Sequence, residues 1–382
     1  MFENDSLTSY YTGDKRPYYV LRVAAEYGNL PIIRFLWPMM ETMPKKAEAT
    51  IKKMMIGASE KNHRSVLEFL MWQSGKDYMK RVQKYMNEAF EAAVGGGSVE
   101  LMDVFRGDDD AGNPVAPGLV LTTLSLPTLH KAIQINRNWN GIKYLVDLKT
   151  KGDSRFENFK LVDQDNAALR MACKAGNYEL VEYLLRKTRN GQFVFTLTNP
   201  AVKRNKPLAD ACGSGNLQIV QKLLERDASG KYIYKGIDPS DRSYECFYNA
   251  CIEGHWRVVK FLLKMKDEKY VLPGMNDVNI AKGLVAASKW GRMKLVSFLL
   301  KMDNGTYVLP AINCVDLTHI LKIAIEWDQI KVIRFLLGQA LDGSYLHPRV
   351  KVTEDMLTPG GLRPEVRGLL EMHLRPRCSE VK

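Results

Sequence analysis

No stretch of the 382-residue sequence reaches the ~18 consecutive apolar residues that a membrane-spanning helix needs. The first twenty residues carry acids and no apolar run, so the chain is read as soluble and without a cleaved signal. Cysteine is scarce, with six in all and no CxxC pair, so neither a disulfide framework nor a zinc ribbon is expected. Of the six histidines, no two have the spacing of a helical metal-binding pair. The P-loop, the G-x-G-x-x-G that follows a strand and the G-x-S-x-G elbow are all missing, so phosphate, dinucleotide and hydrolase sites have no support. No catalytic residue, metal ligand or cofactor is expected, and the chain reads as a non-enzyme.

What is present is ordinary globular composition, 46% hydrophobic and 26% charged, which excludes a disordered or collagen-like chain. The net charge of +12 is compatible with nucleic-acid or anionic-surface binding. Along the chain, however, the excess is spread, and only residues 251–300 lean clearly basic. A functional footprint clusters on one face. The charge therefore reads as a solubilising surface, and polyanion binding stays a second alternative resting on +12 alone.

Length by itself suggests two or three domains, but an internal period replaces that count. AAEYGNLPIIRFL (24–36), ACKAGNYELVEYLL (172–185), ACGSGNLQIVQKLL (211–224) and ACIEGHWRVVKFLL (250–263) are variants of one phrase. Further copies begin at Ala58, Ala93, Ala132, Ala287 and Ala324, so nine lead alanines follow one another at intervals of 34 to 40 residues. In each unit a small residue such as Ala172 lies in a short helix, and Gly176 closes that helix where positive φ is cheap. Leu180, Val181, Leu184 and Leu185 then form the stripe of a second helix buried on one side. One such pair cannot bury its own apolar face, so the units must stack into a solenoid.

The residues resemble the ankyrin-repeat family, whose pattern runs T-P-L-H-x-A-A, then G-H or G-N, then a V-x-x-L-L helix. Pro127-Thr128-Leu129-His130-Lys131-Ala132 is the fullest match to the opening, and Gly28-Asn29, Gly176-Asn177, Gly215-Asn216 and Gly254-His255 supply the turn. Asn62, Gly95-Gly96-Gly97, an extra residue within 132–145, and Asp328 depart from it. The resemblance implies a mainly α ankyrin-repeat solenoid of nine to ten antiparallel helix pairs joined by β-hairpin fingers. It further implies that His130 makes a backbone hydrogen bond and that His63 and His255 are turn residues.

The units exceed the family's ~33 residues, and the surplus follows each Leu-Leu pair. Asn190-Gly191, Ser229-Gly230, Asn304-Gly305 and Asp342-Gly343 are hairpin turn signals beside aromatics. Phe156, Phe193, Tyr232, Tyr270, Tyr307 and Tyr345 recur in this slot, so extended fingers are expected, whose tandem hairpins would form a ragged ribbon.

Three segments follow from this: an N-terminal cap at 1–20, nine repeats at 21–350, and a degenerate capping repeat with its tail at 351–382. In the last, Leu357, Gly361, Val366, Leu369 and Leu370 keep the repeat register. Residues 362–374 also faintly resemble the opening of an F-box, so a substrate-recruiting adaptor for a ubiquitin ligase is the first alternative.

Cys173, Cys212 and Cys251 share one slot. Equivalent positions of stacked helices lie ~8–10 Å apart, too far to share a zinc at ~2.3 Å, so they read as small buried thiols. Recognition remains, on the concave face that the first helices and fingers line in such stacks. The two residues before each turn should project there: Glu26-Tyr27, Lys289-Trp290 and Glu326-Trp327. Tyr27, Tyr232, Tyr270, Lys289, Trp290, Arg292, Tyr307, Trp327 and Tyr345 are the candidate partner-binding residues, with aromatics as anchors and Lys289 and Arg292 as steering charges. The expected function is a monomeric, cytoplasmic scaffold for a protein partner. Irregular long repeats of this kind look like those of effectors that intracellular bacteria or large viruses direct at host proteins, as well as those of ordinary cytosolic adaptors.

Overall fold

The computed structural model describes residues 16–41, 44–71, 85–107, 116, 119–135, 138–161, 166–187, 195, 198–266, 269–303, 306–338, 347, 349–358 and 362–374. Phe193, Tyr345, Gly361 and the turn dipeptides at 190–191, 304–305 and 342–343 lie outside them, as do residues 1–15 of the expected N-terminal cap. The chain divides into two units, Met1–Thr198 and Asn199–Lys382.

Among its described residues the first unit holds five helix pairs: α1 (Arg16–Glu26) with α2 (Leu30–Glu41), α3 (Pro44–Glu60) with α4 (Arg64–Met71), and α5 (Met86–Gly96) with α6 (Val99–Arg106). Then come α7 (Leu126–His130) with α8 (Asn140–Thr150), and α9 (Ala167–Ala175) with α10 (Tyr178–Leu184). In the second unit α11 (Val202–Ser214) pairs with α12 (Leu217–Leu223), and α13 (Asp241–Glu253) with α14 (Trp256–Leu262). There α15 (Ile280–Lys289) pairs with α16 (Met293–Leu299), and α17 (Leu317–Glu326) with α18 (Ile330–Leu336). A 3-10 turn at Glu354–Leu357 and α19 (Pro364–Leu374) end it.

Within each unit, first helices pack on first helices and second on second: α1 on α3 and α3 on α5; α11 on α13, α15 and α17 in succession, with α12, α14, α16 and α18 doing the same. Leu180, Val181, Leu184 and Leu185 are buried, as are Val258, Val259, Leu262 and Leu263 in α14 and just after it. Each such side chain stabilises the stack by about 1.5–3 kcal/mol, far more than the few tenths that separate helix propensities.

Every expected turn residue in the described segments is left-handed, including the irregular Asn62 (φ 62°) and Asp328 (φ 53°) beside Gly176 (φ 70°). The residue after the turn has two distinct jobs. Asn177 and Asn216 cap their own second helices, each accepting a hydrogen bond from the backbone three residues on, at 3.0 Å. His63, His255 and Arg292 instead reach back over the preceding turn. His63 Nε2 lies 2.9 Å from the Glu26 carbonyl and His255 Nε2 3.0 Å from that of Gly213, while Arg292 Nε donates to Ile252 at 2.7 Å. A Cβ on Gly28 would come within 2.5 Å of His63, so the bare turn is what admits the ring. Cys173, Cys212 and Cys251 are buried beside the alanine column.

Three sequence expectations are corrected. The fingers form no common ribbon among the described residues: Met265–Lys266 pairs only with Lys269–Tyr270, and Met302–Asp303 only with Thr306–Tyr307, as two separate antiparallel hairpins. Side chains join successive fingers instead, with Arg226 Nη1 donating to the Val271 carbonyl at 2.8 Å and Tyr232 Oη to that of Pro273 at 2.9 Å. The His130 side chain is exposed and makes no hydrogen bond among the described residues, and α7 continues there as a π-turn, Lys131–Ile135, in the repeat that carries the extra residue. The finger-slot aromatic Phe156 is fully buried, stacked on Phe90.

Candidate functional site

The positions before the left-handed turns behave alike where they fall at adjacent repeats of the second unit. Trp290 caps the C-terminus of α15 and Trp327 that of α17, and their indoles lie 6.0 Å apart, tilted by 43°. They are 48% and 42% exposed, an unusual state for two large aromatics side by side. The ammonium of Lys289 stands over both rings, 4.0 Å from the Trp327 centroid and 5.8 Å from that of Trp290. This cation–π geometry holds a positive charge above an apolar platform. Gln329 donates to the Trp327 carbonyl at 2.9 Å and so fixes the backbone from which the second indole projects.

The remaining candidates do not join this cluster. Arg292 reaches back to the Ile252 carbonyl and to Glu253 at 3.4 Å, so its guanidinium locks a turn. Tyr232 and Tyr270 are half-buried in their fingers, and Tyr307 is only 7% exposed. Burial raises the phenol pKa of all three. Tyr27, 79% exposed, occupies the same pre-turn slot in the first unit.

Tyr307 also led to a residue that the sequence did not single out. Its ring lies parallel to the imidazole of His347 at 6.1 Å, its hydroxyl is 3.3 Å from His347 Nδ1, and the Phe335 ring lies tilted against the imidazole at 4.9 Å. His347 is 4% exposed, and burial pushes its pKa below the ordinary 6.5. The nearby Arg349 donates to the Ile312 and Val315 carbonyls at 3.0 and 2.7 Å. Because the native state prefers neutral imidazole, only the unfolded chain gains a proton as pH first falls below about 6.5. Stability is therefore complete above that value and declines below it, by about 1.4 kcal/mol per pH unit until the native group titrates. Urea midpoints of wild type and His347→Phe at pH 7.5 and 5.5 check this: the variant, which keeps the stacking, should lose less on acidification.

Among the described residues no group of three or more His, Cys, Asp or Glu is placed to hold a metal ion, and the chemistry of the indole cluster is that of contact. Residues 129–242 match the family model described as ankyrin repeats, in three copies. No curated protein matches the chain. The helix–turn–helix geometry with its left-handed turn residue also occurs outside the matched span, at Gly28, Asn62, Gly97, Gly254, Gly291 and Asp328.

Proposed function

From the premise that the chain carries ankyrin repeats, a protein-interaction module that works by binding, we propose a non-catalytic adaptor that grips a partner protein through Lys289, Trp290 and Trp327. The observation that carries this reading is the exposed indole pair under one ammonium. Trp is the residue most enriched at binding hot spots, and a partner's apolar side chain covering both rings would remove their surface from water without a large ordering cost. Lys289 would then favour a partner with a carboxylate at the rim. Tyr27 is a second contact point of the same reading. The compartment it supposes is a cytosol, the cell's own or, for an effector, a host's.

Residues 351–382 are assigned the role of terminal cap in this reading. Val366 and Leu370 of α19 are buried within the chain, where α19 packs on α18, and that leaves less apolar surface for a ligase core. The site is tested by affinity capture from a cytosolic extract with wild type and with Trp290→Ala/Trp327→Ala, followed by titration of the captured partner. A loss of at least about thirtyfold with unchanged helicity is expected from two hot-spot truncations. Undiminished affinity in the double variant would sink the assignment.

A further inference from the structure

Stacking collects on one face the positive charge that the sequence disperses. Counting from the turn residues Gly254, Gly291 and Asp328, the third position is Arg257, Lys294 and Lys331. The sixth is Lys260 and Arg334, with Ser297 between them, and the tenth is Lys264 and Lys301. Positions three and six lie within these helices, three residues apart, and so share one helix side, while position ten lies just past the helix end, immediately before the strands at Met265 and Met302. That side is opposite the buried stripe of Val258, Val259, Leu262 and Leu263, and all seven basic residues are exposed. Since α14 packs on α16 and α16 on α18, the columns stand ~10 Å apart and the two rows within the helices ~5–6 Å apart.

No aspartate or glutamate occurs in α14, α16 or α18. Arg334 pairs with Glu365, and Arg257 lies 5.6 Å over the Trp256 ring. Lys260, Lys264, Lys294, Lys301 and Lys331 have no ion-pair partner among the described residues. The equivalent positions after Gly215 are Gln218, Gln221 and Glu225, so the basic face begins at α14.

We infer that this face binds the surface of an anionic lipid bilayer. Its charges form a two-dimensional array, which a planar surface meets all at once and a rod-like duplex meets along a line. Five of the seven are lysines, compact point charges without the planar fork with which arginine grips a single phosphate. Ser297 donates to its own helix at Lys294, so no free amide or hydroxyl among these positions reads a base edge. Among the described residues the large exposed apolar side chains of this unit, Ile233, Trp290, Val308, Trp327 and Met372, lie elsewhere, so they offer no stacking platform for single strands on this face. No described helix is long and apolar enough to cross a membrane, so attachment is electrostatic and reversible.

The test is co-sedimentation of the full chain with vesicles of phosphatidylcholine alone or with about a third phosphatidylserine. Binding should require phosphatidylserine and should fall as ionic strength rises from about 0.1 to about 1 M and the screening length shrinks from ~10 to ~3 Å. Each basic residue near such a surface is worth about fivefold in affinity, so Lys260→Gln/Lys294→Gln/Lys331→Gln should lose on the order of a hundredfold. A control, Lys231→Gln/Lys235→Gln/Lys351→Gln, removes the same charge from exposed positions off this face and should retain binding to within a few-fold. Equal binding to both vesicle types overturns the proposal, as does equal loss in both triple variants. Tighter retention of duplex DNA or RNA than of vesicles at the same salt also overturns it.

Discussion

Phe90→Ala should cost about 3–5 kcal/mol of stability in the unit Met1–Thr198, the range for removing a fully buried phenylalanine. Phe90 lies on the first helix of its repeat, α5, with its ring 5.8 Å from Phe105 of α6 at 81° and 5.6 Å from Phe156 at 25°. All three rings are fully buried. One side chain therefore joins the first helix, the second helix and the segment that follows α8. Truncation leaves a cavity whose walls belong to three elements, none of which can collapse alone. Urea denaturation, with amide exchange to localise the loss to α5, α6 and α8, measures the effect. Phe90→Leu should cost well under half as much, because most of the volume stays filled. A loss below about 1 kcal/mol for alanine would show that these rings are not the hinge of the packing.

Asn205→Ala should cost about 3 kcal/mol, for reasons of backbone as well as bonding. α11 and α13 open on left-handed turns, Lys203–Arg204–Asn205 and Arg242–Ser243–Tyr244, which occupy equivalent places 39 residues apart. Left-handed backbone costs an ordinary L-residue about 1–2 kcal/mol, and asparagine tolerates it better than most. Asn205 sits at φ 61° and is buried, yet its amide is satisfied. Nδ2 donates to the Gly236 carbonyl at 3.2 Å and to Asp241 at 2.9 Å, and Oδ1 accepts from the Asp238 amide at 3.1 Å. All three partners precede or open the next repeat, so the side chain is a splice between neighbours. Burial opposes ionisation of Asp241, but bonds from Asn205 and Arg204 hold its carboxyl below the usual value. Alanine removes the bonds and keeps the strain, whereas Asn205→Gly removes the bonds and relieves it. Glycine should therefore be the milder substitution by about 1 kcal/mol. If glycine proves as damaging as alanine in urea denaturation, the left-handed turn carries no strain.

These two residues also show where the sequence stops being legible. Phe156 carries the same finger-slot label as Tyr232 and Tyr307, but it packs into the core, because the segment after α8 folds back as a short 3-10 turn, Ser154–Phe156. Asn205 has no motif around it at all. Its role exists only when residues 236–241 of the next repeat arrive against it. Tyr307 reads as an anchor until His347, 40 residues away, is stacked on its ring. Trp290 and Trp327 were legible as a pair of projecting side chains, since each immediately precedes a left-handed turn residue. The ammonium over them was not, because nothing in a 37-residue spacing specifies which way Lys289 lies.

By themselves the residues determined the repeat, the helix pairs, the left-handed turns and the buried stripe. All of these follow from local chemistry: small residues at close contacts, glycine or asparagine where φ is positive, and apolar spacing matched to 3.6 residues per turn. Tertiary structure alone decided which aromatics face water, which post-turn side chains reach back over the preceding turn, and where the charge gathers. Those are relations between repeats. Residues far apart in sequence become neighbours ~10 Å apart when helices stack, and a charge spread thin along a line becomes dense on a face.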